Sequence, residues 1–160
     1  MAENAGYKFK GEDTLYLVDA GDGLMRPFDQ TDGSTSFDID ELEVATKDRQ
    51  GTDYGDITEV RSFEGQLVKE DPFIPAIKDA IRNKRFVEIW EVNVVTKEAE
   101  KGMHMISDFE MTHAHGDFAE YSLEARLFGE VTTEELEEIP EGAPELELGG
   151  DDNNGGGVEG

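Results

Sequence analysis

Between residues 118 and 131 apolar and polar positions alternate, with Tyr121, Leu123, Ala125 and Leu127 on one side and Ser122, Glu124 and Arg126 on the other. A period of two belongs to a strand with one face in a core and one in water. The run before it, 103–113, sets Ser107, Phe109 and Met111 against Asp108 and Glu110. A short polar segment with Gly116 and Asp117 separates the two, which predicts an antiparallel hairpin. Strand composition recurs in "TLYLVDA" (14–20), "STSFDID" (34–40), "ITEVRSFEGQLVK" (57–69) and "FVEIWEVNVV" (86–95). The polar, glycine-marked stretch 40–56 between two of these is expected to be a long loop or an extended hairpin arm.

One segment has helical spacing, predicting a helix over 71–84. Asp71 suits the N-cap with Pro72 at the first helical position. Phe73, Ile77 and Ile81 form a stripe, and Arg82, Lys84 and Arg85 gather at the negative end of the dipole. Pro75 falls in the first turn, where it costs little. The predicted fold is mainly β, an antiparallel β-sandwich or partly open barrel with one flanking α-helix. Residues 12–139 would form this domain. Residues 1–11 are expected to be a flexible arm, and 140–160 a disordered acidic, glycine-rich tail with too little apolar surface to offset its ordering entropy.

At 160 residues there is room for one core. No apolar run reaches the ~18 residues of a membrane span, so the expectation is a soluble, cytoplasmically made protein. The formal charge is −25. From Glu134 onward every charged residue is acidic, ten in all, and −25 less −10 leaves −15 for the rest. Binding to a phosphate backbone is disfavoured over such a surface.

Cysteine is absent, which removes thiolate metal sites, disulfides and a cysteine nucleophile. The three histidines lie within 104–115. His104 is nine residues from His113, about 30 Å along a strand, too far for shared coordination. His113 and His115 fall on the same side and with Asp117 could hold a metal; a polar hairpin turn is the competing reading. The stretch "DAGDGLMRPFDQTDGS" lacks the order of a calcium loop, and turn chemistry accounts for its Asp and Gly. No phosphate loop, nucleophile elbow or zinc-protease motif occurs, so no catalytic set and no cofactor is expected. Trp90 is a candidate for core or interface packing. Glu88 and Glu91 fall on opposite faces of its strand, which suggests a sheet whose outer faces or edges meet other subunits.

The order of elements carries a resemblance. A helix with a basic last turn is followed by "VEIWEV", a charged turn, a strand in "SDFEM", a polar turn and "YSLEARLFGEV" ending in Phe128-Gly129. This arrangement, over 12–135 and most specifically 86–131, resembles the major tail protein (tail tube protein) family of long-tailed bacteriophages of Gram-positive hosts. The resemblance implies a virion structural protein, not an enzyme. Its hexameric rings would stack into a tube that surrounds the tape measure protein, meets tail terminator and distal tail proteins, and passes DNA without specific binding or contact with a membrane. It would be built in the host cytoplasm and end in the virion tail.

On that view Asp108, Glu110, Glu120 and Glu124 are candidate lumen-facing acids. The 40–56 segment, with Glu43, Lys47, Arg49, Asp53 and Tyr54, is the candidate inter-subunit loop, and Trp90 and Phe128 are candidate interface or core residues. The competing reading of so acidic a chain is a DNA-mimic inhibitor of a DNA-processing enzyme.

Overall fold

The computed structural model describes residues 5–21 and 23–142; most of the expected acidic tail lies outside the described residues. The described residues form seven strands, β1 (Thr14–Asp19), β2 (Leu24–Met25), β3 (Gln30–Ala45), β4 (Gln50–Gln66), β5 (Val87–Asn93), β6 (Glu98–Thr112) and β7 (Glu120–Glu135), one α-helix, α1 (Phe73–Arg82), and a 3-10 turn at Gly11–Asp13. Every strand pair is antiparallel, in one sheet of order β2-β1-β5-β6-β7-β4-β3. The mainly β antiparallel architecture with one flanking helix is therefore present, as a single sheet that curls without closing. Side chains bridge the gap between β1 and β3. The Gln30 amide donates to Tyr16 O (2.7 Å) and accepts from Tyr16 N (3.0 Å), standing in for a ladder rung, and the Tyr16 hydroxyl meets Thr35 Oγ1 at 3.0 Å.

The concave face closes on α1. Phe73, Ile77 and Ala80 are fully buried against Tyr16, Val18, Phe63, Ile89, Tyr121 and Leu123. Ile81, expected in the buried stripe, is instead 38 % exposed. At 100° per residue Ala80 lies about 20° from Phe73 around the helix axis, whereas Ile81 lies about 80° away. The helix begins two residues later than expected, with Pro72 as the cap residue. Asp71 still serves the helix entry, since its carboxylate accepts the N–H groups of Phe73 and Phe28, each at 3.0 Å. Burial pushes the Asp71 carboxyl above its ordinary range, and the two backbone N–H bonds oppose that shift.

A second, smaller core occupies the opposite face. Leu15, Leu17, Trp90, Val92 and Ala99 are covered by Leu24, Val94, Leu136 and Ile139. The segment after β7 is drawn across by Leu136 N donating to Lys97 O (2.8 Å) and by Arg26 Nη1 donating to Pro140 O (3.1 Å). β1 and β5 are thus buried on both faces, which is why "TLYLV" is a continuous apolar run rather than an alternating one.

Residues 40–56 take the extended-arm form of the two forms expected. Their backbone is paired strand, from Ile39 opposite Ile57 to Ala45 opposite Gln50, closed by a turn in which Thr46 N donates to Arg49 O at 2.7 Å. Polar composition had suggested a loop, yet two strands need only each other's backbone groups to be satisfied, and neither face of this hairpin has to enter a core.

Phe73→Ala should destabilise the domain by roughly 3–5 kcal/mol, and Ile81→Ala by roughly 1 kcal/mol or less. Urea unfolding of the two variants checks the assignment of the helix face.

Candidate functional site

A guanidinium lies in the concave face with no exposed surface. Arg61, on β4 beside Phe63, is completely buried, as is His104 on β6. Burial of a charge is tolerated only where its donors are met. Arg61 Nη2 reaches Glu59 (2.6 Å) and Glu100 (3.3 Å), its Nε donates to Glu91 Oε1 at 3.0 Å, and Nη1 meets His104 Nε2 at 3.3 Å. His104 Nδ1 donates to Gly102 O at 2.8 Å, so Nε2 is left as the acceptor for the guanidinium. Thr35 Oγ1 also donates to Glu91. One side chain thereby ties β4 to β5 and β6, and through Glu91 to β3.

Burial first, and then the charge of Arg61, hold His104 down to about 4, while the bond to Gly102 pulls the other way. The neutral imidazole is the form this site accommodates. Glu91 is accounted for within the chain. It sits opposite Tyr16 on the concave side, paired to Arg61, so its position between two apolar neighbours does not require a contact with another subunit. Glu88, on the other face, accepts the Trp90 indole N–H at 2.9 Å. The Tyr121 hydroxyl is buried without a hydrogen-bond partner among the described residues, and burial raises its pKa.

On the convex face the strand register brings the four predicted acids together. Asp108 is opposite Glu124, Glu110 opposite Ser122, and Glu120 opposite Thr112. Phe109, Met111, Tyr121 and Leu123 alternate with them toward α1. Trp90 is 7 % exposed, beneath Lys101, whose Nζ lies 4.6 Å from the ring centroid. Phe128 is 64 % exposed. Glu43, Lys47, Arg49, Asp53 and Tyr54 are all exposed on the β3–β4 hairpin, with Lys47 and Arg49 at its tip. His113, His115 and Asp117 are exposed around a turn. Among the described residues no group of three or more His, Asp or Glu is placed to hold a metal ion.

The sheet also leaves strand edges open. β4 pairs with β7 only from Val60 opposite Arg126 to Gln66 opposite Glu120. Beyond that point the two separate, so residues 50–59 of β4 and 127–135 of β7 each carry an edge that is unpaired among the described residues. Such edges are templates for pairing with another chain.

A family model described as phage tail tube protein matches residues 8–133. The tail tube protein gp17.1* of Bacillus phage SPP1 is 27 % identical over 152 residues; the match covers 89 % of this chain, which spans 58 % of the length of that relative. Among solved structures, the tail of an empty gene transfer agent particle, refined with C6 symmetry, superposes with a TM-score of 0.68 at 16 % identity, covering 78 % of this chain and 98 % of that one. The SPP1 tail tube gives a TM-score of 0.64 at 19 % identity, covering 89 % and 93 %. An extracellular contractile injection system in its sheath–tube complex gives 0.57 at 10 % identity, covering 85 % and 98 %. These structural likenesses establish the fold.

His104 is neutral when folded down to about pH 4 and unfolds to a group of ordinary pKa 6.5, so the unfolded chain binds the extra proton between those values. Its contribution to stability is full above pH 6.5 and is lost as the pH falls toward 4, with a ceiling of roughly 3 kcal/mol. His104→Gln keeps an acceptor for Arg61 and removes the titration. Its unfolding free energy should fall less steeply across this window than that of the unchanged chain, measured by urea titration at stepped pH.

Proposed function

This chain belongs to the phage tail tube protein family, and from that premise we propose that it polymerises head to tail into hexameric rings that stack as the tube of a phage tail. The observation that carries the reading is the pair of unpaired edges and the free β3–β4 hairpin, which leave one copy with backbone donors and acceptors that a neighbour can satisfy. A contact between different surfaces of identical subunits closes a ring or extends a filament. The six-fold symmetry used for the gene transfer agent tail supports the ring size.

In this reading the tube surrounds the tape measure protein, ends on tail terminator and distal tail proteins, and conducts DNA during genome ejection. It is assembled in the host cytoplasm and becomes part of the virion. Asp108, Glu110, Glu120 and Glu124 line the lumen. Their carboxylates offer DNA no cation with which to displace its counterions, so the genome passes without adhering. The hairpin of 40–56 reaches a neighbouring subunit through Glu43, Lys47, Arg49, Asp53 and Tyr54. The role is structural, with no catalytic step.

Concentrating the purified protein should produce rings or tubes of six-fold symmetry in electron micrographs. A chain that stays monomeric under all conditions and binds a DNA-processing enzyme stoichiometrically would overturn the reading in favour of a DNA mimic. Deleting residues 41–55 joins Asp40 to Asp56 just beyond the Ile39–Ile57 pair, a two-residue hairpin connection that Asn-Gly at those positions would favour. That variant should unfold at an unchanged temperature yet fail to polymerise, as judged by circular dichroism and sedimentation; loss of folding would show that the arm belongs to the core.

A further inference from the structure

Past the Val60–Arg126 rung the β3–β4 hairpin leaves the sheet as a two-stranded ribbon, with no further backbone rung to β7 among the described residues. Two-stranded ribbons take a wide range of twist and are at best marginally stable alone, so the direction of this one depends on what holds its root. Side-chain ties meet there. Glu59 is the first β4 residue beyond the rung, and Arg61 lies two residues back, inside the ladder and on the same face. Glu59 Oε2 takes Arg61 Nη2 at 2.6 Å, with only 13 % of the glutamate side chain exposed to compete with the bond. The same guanidinium is anchored over the body of the sheet by Glu91 of β5 and by His104 and Glu100 of β6. On the other strand of the ribbon Thr35, opposite Arg61, donates to Glu91 Oε1. Its one proton is thereby committed, so it accepts from the Tyr16 hydroxyl of β1 at 3.0 Å. β3 shares no backbone rung with β1 or β5 among the described residues, and Thr35 is where it meets both.

We propose that Glu59 and Thr35 are positioning residues of the β3–β4 arm. Glu59 ties β4 to the fixed guanidinium just outside the last rung, Thr35 ties β3 to Glu91 at the same level, and together they set the angle at which the arm leaves the sheet. Glu100 has a different task. Its bond to Arg61 joins β6 to a part of β4 that the β7 ladder already holds, and it does not cross the point where the arm departs. Loss of Glu59 does not strand the buried charge, because Glu91 and Glu100 remain on the guanidinium, so the effect falls on direction rather than on folding. The assignment concerns a single copy. Only its consequence rests on the polymer reading above, since an arm that is already pointed has less freedom to lose when it meets a neighbour.

The chain has no cysteine, so introduced thiols are unique. Nitroxides are placed at Thr52→Cys on the arm and Thr132→Cys on β7 past its parting from β4, in full-length protein held below the concentration at which polymer forms. Double electron–electron resonance should give one narrow distance distribution in this background, and a broadened or displaced one after Glu59→Ala or Thr35→Val. Glu59→Gln keeps an acceptor at the same reach and should restore the narrow form. Glu100→Ala also takes one carboxylate from Arg61 and should leave the distribution narrow, whereas a role confined to stability would make the Glu59 and Glu100 variants alike. Glu59→Ala should unfold within a few degrees of the unchanged chain by circular dichroism; if it does not fold, the Thr35→Val distribution decides. A broad distribution in the unchanged background, an unaltered one in both Glu59→Ala and Thr35→Val, or equal broadening by Glu100→Ala would overturn the assignment while leaving the tube reading standing. Absence of polymer from the unchanged chain would sink the tube reading and leave this assignment, read in single copies, intact.

Discussion

The sheet is held in its curled form by the buried guanidinium of Arg61. With none of its carboxylate partners it would be an uncompensated charge in the core, and breaking a buried pair in comparable sites costs about 3–5 kcal/mol. Met by Glu59, Glu91, Glu100 and His104, the same charge becomes a clasp between strands that are far apart in sequence. Glu91 also accepts from Thr35, whose hydroxyl meets Tyr16, so the polar network continues to the two edges that would otherwise splay. The apolar contact of Tyr16 on Phe63, stacked at 5.2 Å, closes the same seam from the core side.

Curling separates the surface into regions with different physical tasks. The concave face is consumed by α1 and the clasp. The convex face divides along the β6–β7 hairpin into an apolar stretch at Met103, Met105 and Phe128 and an acidic stretch at Asp108, Glu110, Glu120 and Glu124. The β3–β4 hairpin continues past the last β4–β7 rung, where no second layer covers it among the described residues. A domain that keeps unpaired edges and an uncovered hairpin retains an aggregation hazard unless a defined neighbour fills them. The high negative charge slows indiscriminate association.

Much of this was legible in the residues. The alternation at 121–127, the i, i+4 spacing of Phe73 and Ile77, and the turn chemistry at 116–117 place strands, helix and hairpin close to where they occur. The acids of the last hairpin share a face because a period of two leaves no alternative once their neighbours are apolar. Arg61 carried no such signal, since "EVRSFEG" has the ordinary polar–apolar look of a half-exposed strand and a buried arginine needs partners that sequence does not align. His104 was separable from His113 by distance alone, and its burial came from lying opposite Val87 and beneath Arg61. The hairpin of 40–56 was ambiguous because composition reports whether a segment enters a core, not whether it is paired.

The sequence by itself determined the local elements, the face each amphipathic element buries, the excess of negative charge and the absence of thiol chemistry, because these depend on periodicity and composition within a few residues. Tertiary structure alone decided the strand order, the ion pairs that neutralise Arg61, the burial of β1 and β5 on both faces by the segment after β7, and the exposure of the β3–β4 hairpin beyond the last β4–β7 rung. Each of these is a relation between residues tens of positions apart, set when a sheet twists and closes over a helix, and no local pattern encodes it.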